Sequence, residues 1–179
     1  LERKITSASK VILIVHIYGH PVDMDPVCDL ARSRNLKIVE DAAEAHGALY
    51  KGRKAGSLGD VGCFSFYANK IITTGEGGMV VSNDAALINK ARRLKDLAHG
   101  KIRFTHDLPE AFNYRMTNIQ AAIGLGQLER IEDTIGKKIQ NAEQYTRLLK
   151  DVSSLMLPVC RPWARNVYWM YGVQLMDND

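Results

Sequence analysis

Hydrophobic positions along this chain follow two different periods. Val11-Ile12-Leu13-Ile14-Val15 is an unbroken apolar run, and Leu36-Lys37-Ile38-Val39 is a second, ending in Glu40-Asp41. A continuous β-branched run of this kind predicts a fully buried strand of a parallel sheet. Between the two, Val27, Leu30 and Ala31 form a helical stripe, with Asp25 as the expected N-cap, Pro26 at the first helical position and Asn35 as the stop. Strand, helix and strand make one βαβ unit, which predicts a right-handed crossover. Ligands of such sheets collect at the carboxyl ends of the strands, where Asp41 stands.

The pattern then changes. Residues 47–62 are punctuated by Gly47, Gly52, Gly56, Gly59 and Gly62, and two short strands follow, Val61–Phe66 and Gly78–Ser82. Asn83-Asp84 cap a helix through about Lys95, with Ala86, Leu87, Ala91 and Leu94 on one side. A polar loop runs from His99 to Pro109. Thr117 and Asn118 open a helix of small residues, Ala121 to Gly126, suited to close packing, and a charged amphipathic helix covers Ile131–Lys150. Pro158 and Pro162 mark a linker, after which Tyr168 to Val173 is expected to begin a new strand. These features predict an α/β domain over 1–155 and the beginning of a smaller domain over 156–179. The chain opens on Leu1 and stops shortly after a strand-like run, so both ends read as cut within a longer protein.

Composition narrows the chemistry. Of 179 residues, 24 are Lys or Arg and 20 are Asp or Glu, a formal charge of +4 with no basic block of the kind that marks a nucleic-acid tail. Cys28, Cys63 and Cys160 are few, odd in number and far apart, so neither a disulfide framework nor a zinc site is expected, and a reduced, cytoplasmic compartment fits. His16 and His20 lie four apart, but Gly19 and Pro21 break any helix that would join them. The longest apolar run is too short for a membrane span, and no signal peptide is read.

The segment Phe64-Ser65-Phe66-Tyr67-Ala68-Asn69-Lys70, followed by Gly75-Glu76-Gly77-Gly78, carries the most specific chemistry. An amine between an apolar strand and a tight turn, with a carboxylate at a neighbouring strand end, is the minimum equipment for condensing with an aldehyde cofactor. Each residue also has an ordinary reading: Lys70 as a solvent-facing lysine, Asp41 as a helix N-cap, Ser65 as a strand serine, Asn113 as a turn residue. No G-x-G-x-x-G or phosphate loop follows a predicted strand.

Taken together, Val15 to Pro21, Glu40-Asp41-Ala42-Ala43-Glu44-Ala45-His46-Gly47, Phe64 to Gly78 and Asn113 to Ala122 resemble the DegT/DnrJ/EryC1/StrS sugar aminotransferases over nearly the whole chain. The resemblance implies the fold-type-I, aspartate aminotransferase-like large domain of pyridoxal phosphate (PLP) enzymes, with a mostly parallel sheet. It implies PLP as cofactor, a nucleotide-linked sugar and glutamate as substrates, and a homodimer. Nucleic acid and membrane are not expected partners. Within the family, the phrasing is nearest to the branch that aminates C4 of a GDP-linked 4-keto-6-deoxy sugar.

By the same resemblance, Lys70 is the Schiff-base lysine and proton carrier, and Asp41 pairs with the pyridinium nitrogen. Ser65 is a hydroxyl donor to the cofactor phosphate, and Glu44 stands near the cofactor's phenolic oxygen, where many relatives have Gln. Asn113 reaches across a dimer interface, and His106 is a loop histidine near the sugar. Phe104-Thr105 before His106 and Ala111-Phe112 after it depart from the family pattern. The chain corresponds to the middle of a family member, so weak or absent PLP binding is expected. Other fold-type-I PLP chemistry and a silent domain retaining only subunit association are the competing readings.

Overall fold

The computed structural model describes residues 1–99 and 111–176. Most of the polar loop between His99 and Pro109, His106 included, lies outside the described residues.

Val11–Val15 (β1) and Lys37–Asp41 (β2) pair in parallel, joined by the helix Met24–Ser33 (α1). Leu49–Tyr50 (β3) and Arg53–Lys54 (β4) form a small hairpin. Val61–Ser65 (β5) then adds to β2 in parallel, and Gly78–Val81 (β6) returns antiparallel to β5. The main sheet therefore has the order β1-β2-β5-β6. Helices Ala85–Lys95 (α2), Asn118–Leu128 (α3) and Ile131–Leu149 (α4) follow, then three two-residue strands, Leu155–Met156 (β7), Ala164–Arg165 (β8) and Gln174–Leu175 (β9). The α/β class and the mostly parallel sheet are as the sequence predicts.

One cluster of buried side chains forms where α1 covers the sheet: Ile12, Ile14 and Ile38 from the strands meet Met24, Val27 and Ala31 from the helix, closed by Leu36 and Tyr50. Removing such side chains from water stabilises by about 1.5–3 kcal/mol each. The Tyr50 hydroxyl donates to Asp23 Oδ1 at 2.7 Å and accepts from the Asp25 N–H at 3.1 Å, which fixes the start of α1. A second cluster joins Ala42, Ala45, Ala48 and Ala55 to Ile71, Ile72, Ile135 of α4 and Val167.

Three local expectations are corrected. Strand β1 is buried on one face only: Val11 and Leu13 are 52% and 65% exposed, because the elements among the described residues cover the α1 side. The N-cap of α1 falls on Asp23 rather than Asp25, since the helix starts at Met24 and Pro26 occupies its third position. Tyr168 to Val173 does not form a strand. Tyr168 takes a left-handed backbone (φ +47°) and belongs to a strap over 161–169, whose β8 pairs antiparallel with β3. The helix stop was legible: Asn35 adopts φ +50°, and the Leu36 N–H closes the turn on the Ala31 carbonyl at 2.8 Å.

Close backbone approach explains one glycine. A Cβ on Gly62 would lie 1.9 Å from the Gly56 carbonyl oxygen, so β5 can seat against the 55–59 loop only without a side chain. That loop is also held by Glu40, which is completely buried. Its carboxylate accepts from the backbone N–H groups of Gly56, Leu58 and Gly59, and faces His16 Nε2 at 2.9 Å. His16 Nδ1 accepts from the Val22 N–H, which makes Nε2 the donor to Glu40.

Candidate active site

The carboxyl ends of β1, β2 and β5 form one edge of the sheet, and the chemistry-bearing residues converge there. Asp41 ends β2 opposite Val15 and Cys63, and Ser65 ends β5. Lys70 lies in the connection between β5 and β6. Two backbone bonds pinch that connection shut: the Phe66 N–H donates to the Gly77 carbonyl at 2.8 Å and the Thr74 N–H to the Phe66 carbonyl at 2.9 Å. Gly77 sits at φ +142°, where a Cβ would meet Thr74 Oγ1 at 2.8 Å and Met116 Cε at 2.9 Å. Glycine is therefore sterically required in the turn after Lys70.

Helix α3 steadies the same turn. Thr117 caps α3 in a capping box with Gln120. One helical turn on, Gln120 Nε2 donates to the Glu76 carbonyl, and Gln127 bonds both the N–H and the carbonyl of Thr73. Gly124 faces the Thr74 methyl closely enough that a Cβ would lie 2.8 Å from it. The small-residue stretch allows this approach, although no residue of α3 is fully buried.

Lys70 Nζ is largely shielded, with a side chain 11% exposed. It stands 4.0 Å from Glu44 Oε1 and 4.0 Å from the centroid of the Trp169 indole. Glu44 in turn accepts from the Tyr18 N–H through Oε2 at 2.7 Å, with Tyr18 held at φ +55°. The Glu44 carboxylate is thus paired with the lysine and a backbone donor. Asp41 accepts from the Ala43 N–H through Oδ1 at 3.0 Å, but as a turn bond and not as a helix N-cap, since no helix begins after it, and its other oxygen makes no hydrogen bond among the described residues. Ser65 Oγ accepts from the Tyr67 N–H at 3.2 Å, which leaves its own proton to donate.

The structure therefore brings Lys70, Glu44, Asp41 and Ser65 to one edge. Asn113 stays apart: it bridges Asp96 through the backbone, accepts weakly from Arg115 Nε at 3.5 Å, and its side chain is exposed. Sequence reasoning missed Trp169, Tyr18 and Gln127. Gln127 falls in the small-residue helix, and the signal for Trp169 is only that an aromatic stretch follows two prolines.

His46 closes the inner wall. It is 4% exposed, packs between Phe64 and Phe66 with ring centroids at 5.4 and 5.7 Å, and neither ring nitrogen finds a hydrogen-bond partner among the described residues. Burial, helped by the nearby Lys70 charge, pushes its pKa down to about 4. His46 also borders an apolar cleft of about 360 Å³ between the sheet and α3, lined by Phe64, Phe66, Met79, Met116 and Leu125. Among the described residues there is no cluster of acidic, His or Cys side chains able to hold a metal, and no helix long and apolar enough to cross a membrane.

This arrangement suits an aldehyde cofactor with a ring nitrogen to be kept protonated. The amine is shielded yet paired, the carboxylate keeps an unbonded oxygen, and a hydroxyl stands on the same edge. The fold belongs to the same class. DesV of S. venezuelae, solved in complex with a ketimine intermediate, matches with a TM-score of 0.91 and 36% identity, over 97% of this chain and 47% of that one. The aminotransferase from Psychrobacter cryohalolentis matches with a TM-score of 0.85 and 35% identity, over 96% of this chain and 48% of that one.

The chain belongs to the DegT/DnrJ/EryC1/StrS aminotransferase family, which it matches over residues 1–179. Similar curated relatives include the GDP-perosamine synthase of Caulobacter vibrioides, 47% identical over 98% of this chain and 47% of the relative. The GDP-perosamine synthase of Escherichia coli O157:H7 is 49% identical over 97% of this chain and 47% of its own length. The chain thus spans about half the length of the curated relatives it matches.

Proposed function

We propose that this chain is the core of the cofactor-binding domain of a PLP-dependent transaminase acting on a nucleotide-linked 4-keto-6-deoxy sugar, of the GDP-perosamine synthase type, with L-glutamate as amino donor. One observation carries the reading: a shielded lysine amine, 4.0 Å from Glu44, on the sheet edge that also presents Asp41 and Ser65. The identity to two GDP-perosamine synthases supports the sugar.

PLP, when bound, supplies an electron sink for the bonds broken at the amino carbon. Lys70 Nζ would then have two tasks, to anchor the cofactor covalently and to carry a proton at the amino carbon. Asp41 would hold the ring nitrogen and favour its protonated state, and Ser65 Oγ would donate to the phosphate. Glu44 serves as counter-charge to the Lys70 ammonium while the amine is free. Asn113, exposed on the approach to α3, serves a neighbouring subunit in a cytoplasmic homodimer. Residues 1–155 form the large domain and 156–179 open the smaller one.

The test is reduction with borohydride after mixing with PLP, followed by location of the pyridoxyl group by mass spectrometry. Reduction traps even weakly bound cofactor, so the expected adduct is on Lys70 and is absent from Lys70→Ala. Labelling scattered over surface lysines would refute specific cofactor binding and leave a scaffold whose remaining property is subunit association. For a longer protein containing this chain, glutamate-dependent amination of a GDP-linked 4-keto-6-deoxy sugar is the direct assay, and its absence would overturn the substrate assignment.

A further inference from the structure

Trp169 stands 99 residues beyond Lys70 in the chain, yet its ring lies against the candidate lysine's amine. The indole face lies 4.0 Å from Nζ, as close as the nearest Glu44 oxygen. Its edge is tied down as well. Nε1–H donates to the carbonyl of Asn69, the residue directly before Lys70, at 2.9 Å. On the far side, Lys138 Nζ of α4 donates to the Trp169 carbonyl at 3.2 Å.

The strap that delivers Trp169 is itself locked. The Val167 N–H donates to the Gly19 carbonyl at 3.2 Å, and buried Asn166 accepts from the Tyr168 N–H at 2.9 Å. The indole is therefore placed by three separate parts of the fold: the 17–21 loop, α4 and the lysine turn.

From this geometry we propose that Trp169 is a positioning residue for Lys70: its ring face holds the ammonium and its N–H holds the backbone of the lysine turn. The role assigned to the amine rests on the function proposed above, but the contact does not. An indole face attracts an ammonium through the negative face of its ring. The amine is thereby held in place until an aldehyde draws it away. The other charged and titratable groups near the amine or the indole are Glu44 and His46 from the loop after β2, Tyr18 with its ring 6.2 Å from the indole, and Lys138 of α4 at the Trp169 carbonyl. Replacing Trp169 leaves all four side chains present.

Two readings separate this role from simple packing. The first needs no PLP: limited reductive methylation with formaldehyde and cyanoborohydride at fixed pH, with methyl-Lys70 quantified against exposed Lys37 and Lys51. In Trp169→Leu, Lys70 methylation should rise roughly three- to thirtyfold, the range that a cation–π contact is worth. In Trp169→Phe, which keeps a ring face but loses the N–H, it should stay within about threefold of the parent. Equal rates for the leucine variant and the parent, or for the leucine and phenylalanine variants, would overturn the proposal. If the leucine variant does not fold, Trp169→Met takes its place in the same comparison with Trp169→Phe, and equal rates there overturn it too.

The second reading is the share of borohydride-trapped pyridoxal 5'-phosphate found on Lys70 rather than on surface lysines. That share should fall in Trp169→Leu and hold in Trp169→Phe; an unchanged share in the leucine variant counts against the positioning role. If the methylation order holds while no protein labels specifically with PLP, the Trp169 assignment stands and the cofactor reading fails.

Discussion

Glu40 and His46 lie on the same stretch of chain and both weaken the folded state in acid, by opposite chemistry. Burial raises the Glu40 pKa, but His16 and the N–H groups of Gly59, Gly56 and Leu58 together pull it below the ordinary carboxylate value. Its contribution is present above the unfolded pKa, near 4.5, and is lost as pH falls through the lower folded value. His46 is held neutral instead, its pKa lowered from 6.5 to about 4. The unfolded chain therefore binds a proton that the folded chain refuses, and stability declines as pH drops from 6.5 towards 4. His46→Leu should remove that part of the slope, on the order of 3 kcal/mol across the window. Urea titrations at a series of pH values check this; a variant with the parent's slope across the window would show that His46 is not its source.

Among the elements, α3 matters for what it holds in register. The capping box of Thr117 and Gln120 starts the helix, and the same helix then grips the turn after Lys70 through Gln120 and Gln127. Thr117→Ala should cost about 1 kcal/mol, the usual value of a lost N-cap, measured as a lower denaturation midpoint at unchanged slope. Gln127→Ala should cost a similar amount through two lost backbone bonds, and should also speed amide exchange at Thr73, whose N–H it holds at 3.1 Å. Unchanged exchange at Thr73 would mean that α3 does not steady the lysine turn.

Across the whole molecule, the 161–169 strap closes the site over the sheet edge. Its ion pair, Arg165 with Glu132 of α4 at 2.8 Å, is exposed or nearly so and contributes little. Buried Asn166 contributes more, because it turns the backbone at Tyr168 and so aims Trp169. Asn166→Ala should destabilise by about 1–3 kcal/mol and shift the indole emission to longer wavelength, since loosening the strap lets water reach Trp169. An unshifted emission would place the control of Trp169 elsewhere.

How much of this could be read beforehand divides by distance along the chain. Strands β1, β2, β5 and β6, the Asp84 and Thr117 caps and the Asn35 stop were legible, because period and capping are local. Lys70 and Asp41 were legible as candidates because a strand end and a glycine turn flank them. The exposed face of β1 was not, since an apolar run does not state which of its faces another element covers. The strap was misread as a strand because its aromatic run has the composition of one, while Asn166 and the left-handed Tyr168 bend it.

By itself the sequence determined the α/β class, the family's ordered motifs and the residues competent for amine and carboxylate chemistry, because each is written in neighbouring residues. The tertiary structure alone decided that Glu44 pairs with Lys70 and Tyr18, that His16 closes on Glu40, and that Trp169 covers the lysine. Those contacts join residues 24 to 99 positions apart, and no local pattern records them. They form only when sheet, α4 and strap bury one another, which is where an amine can be shielded from water and still be held ready to react.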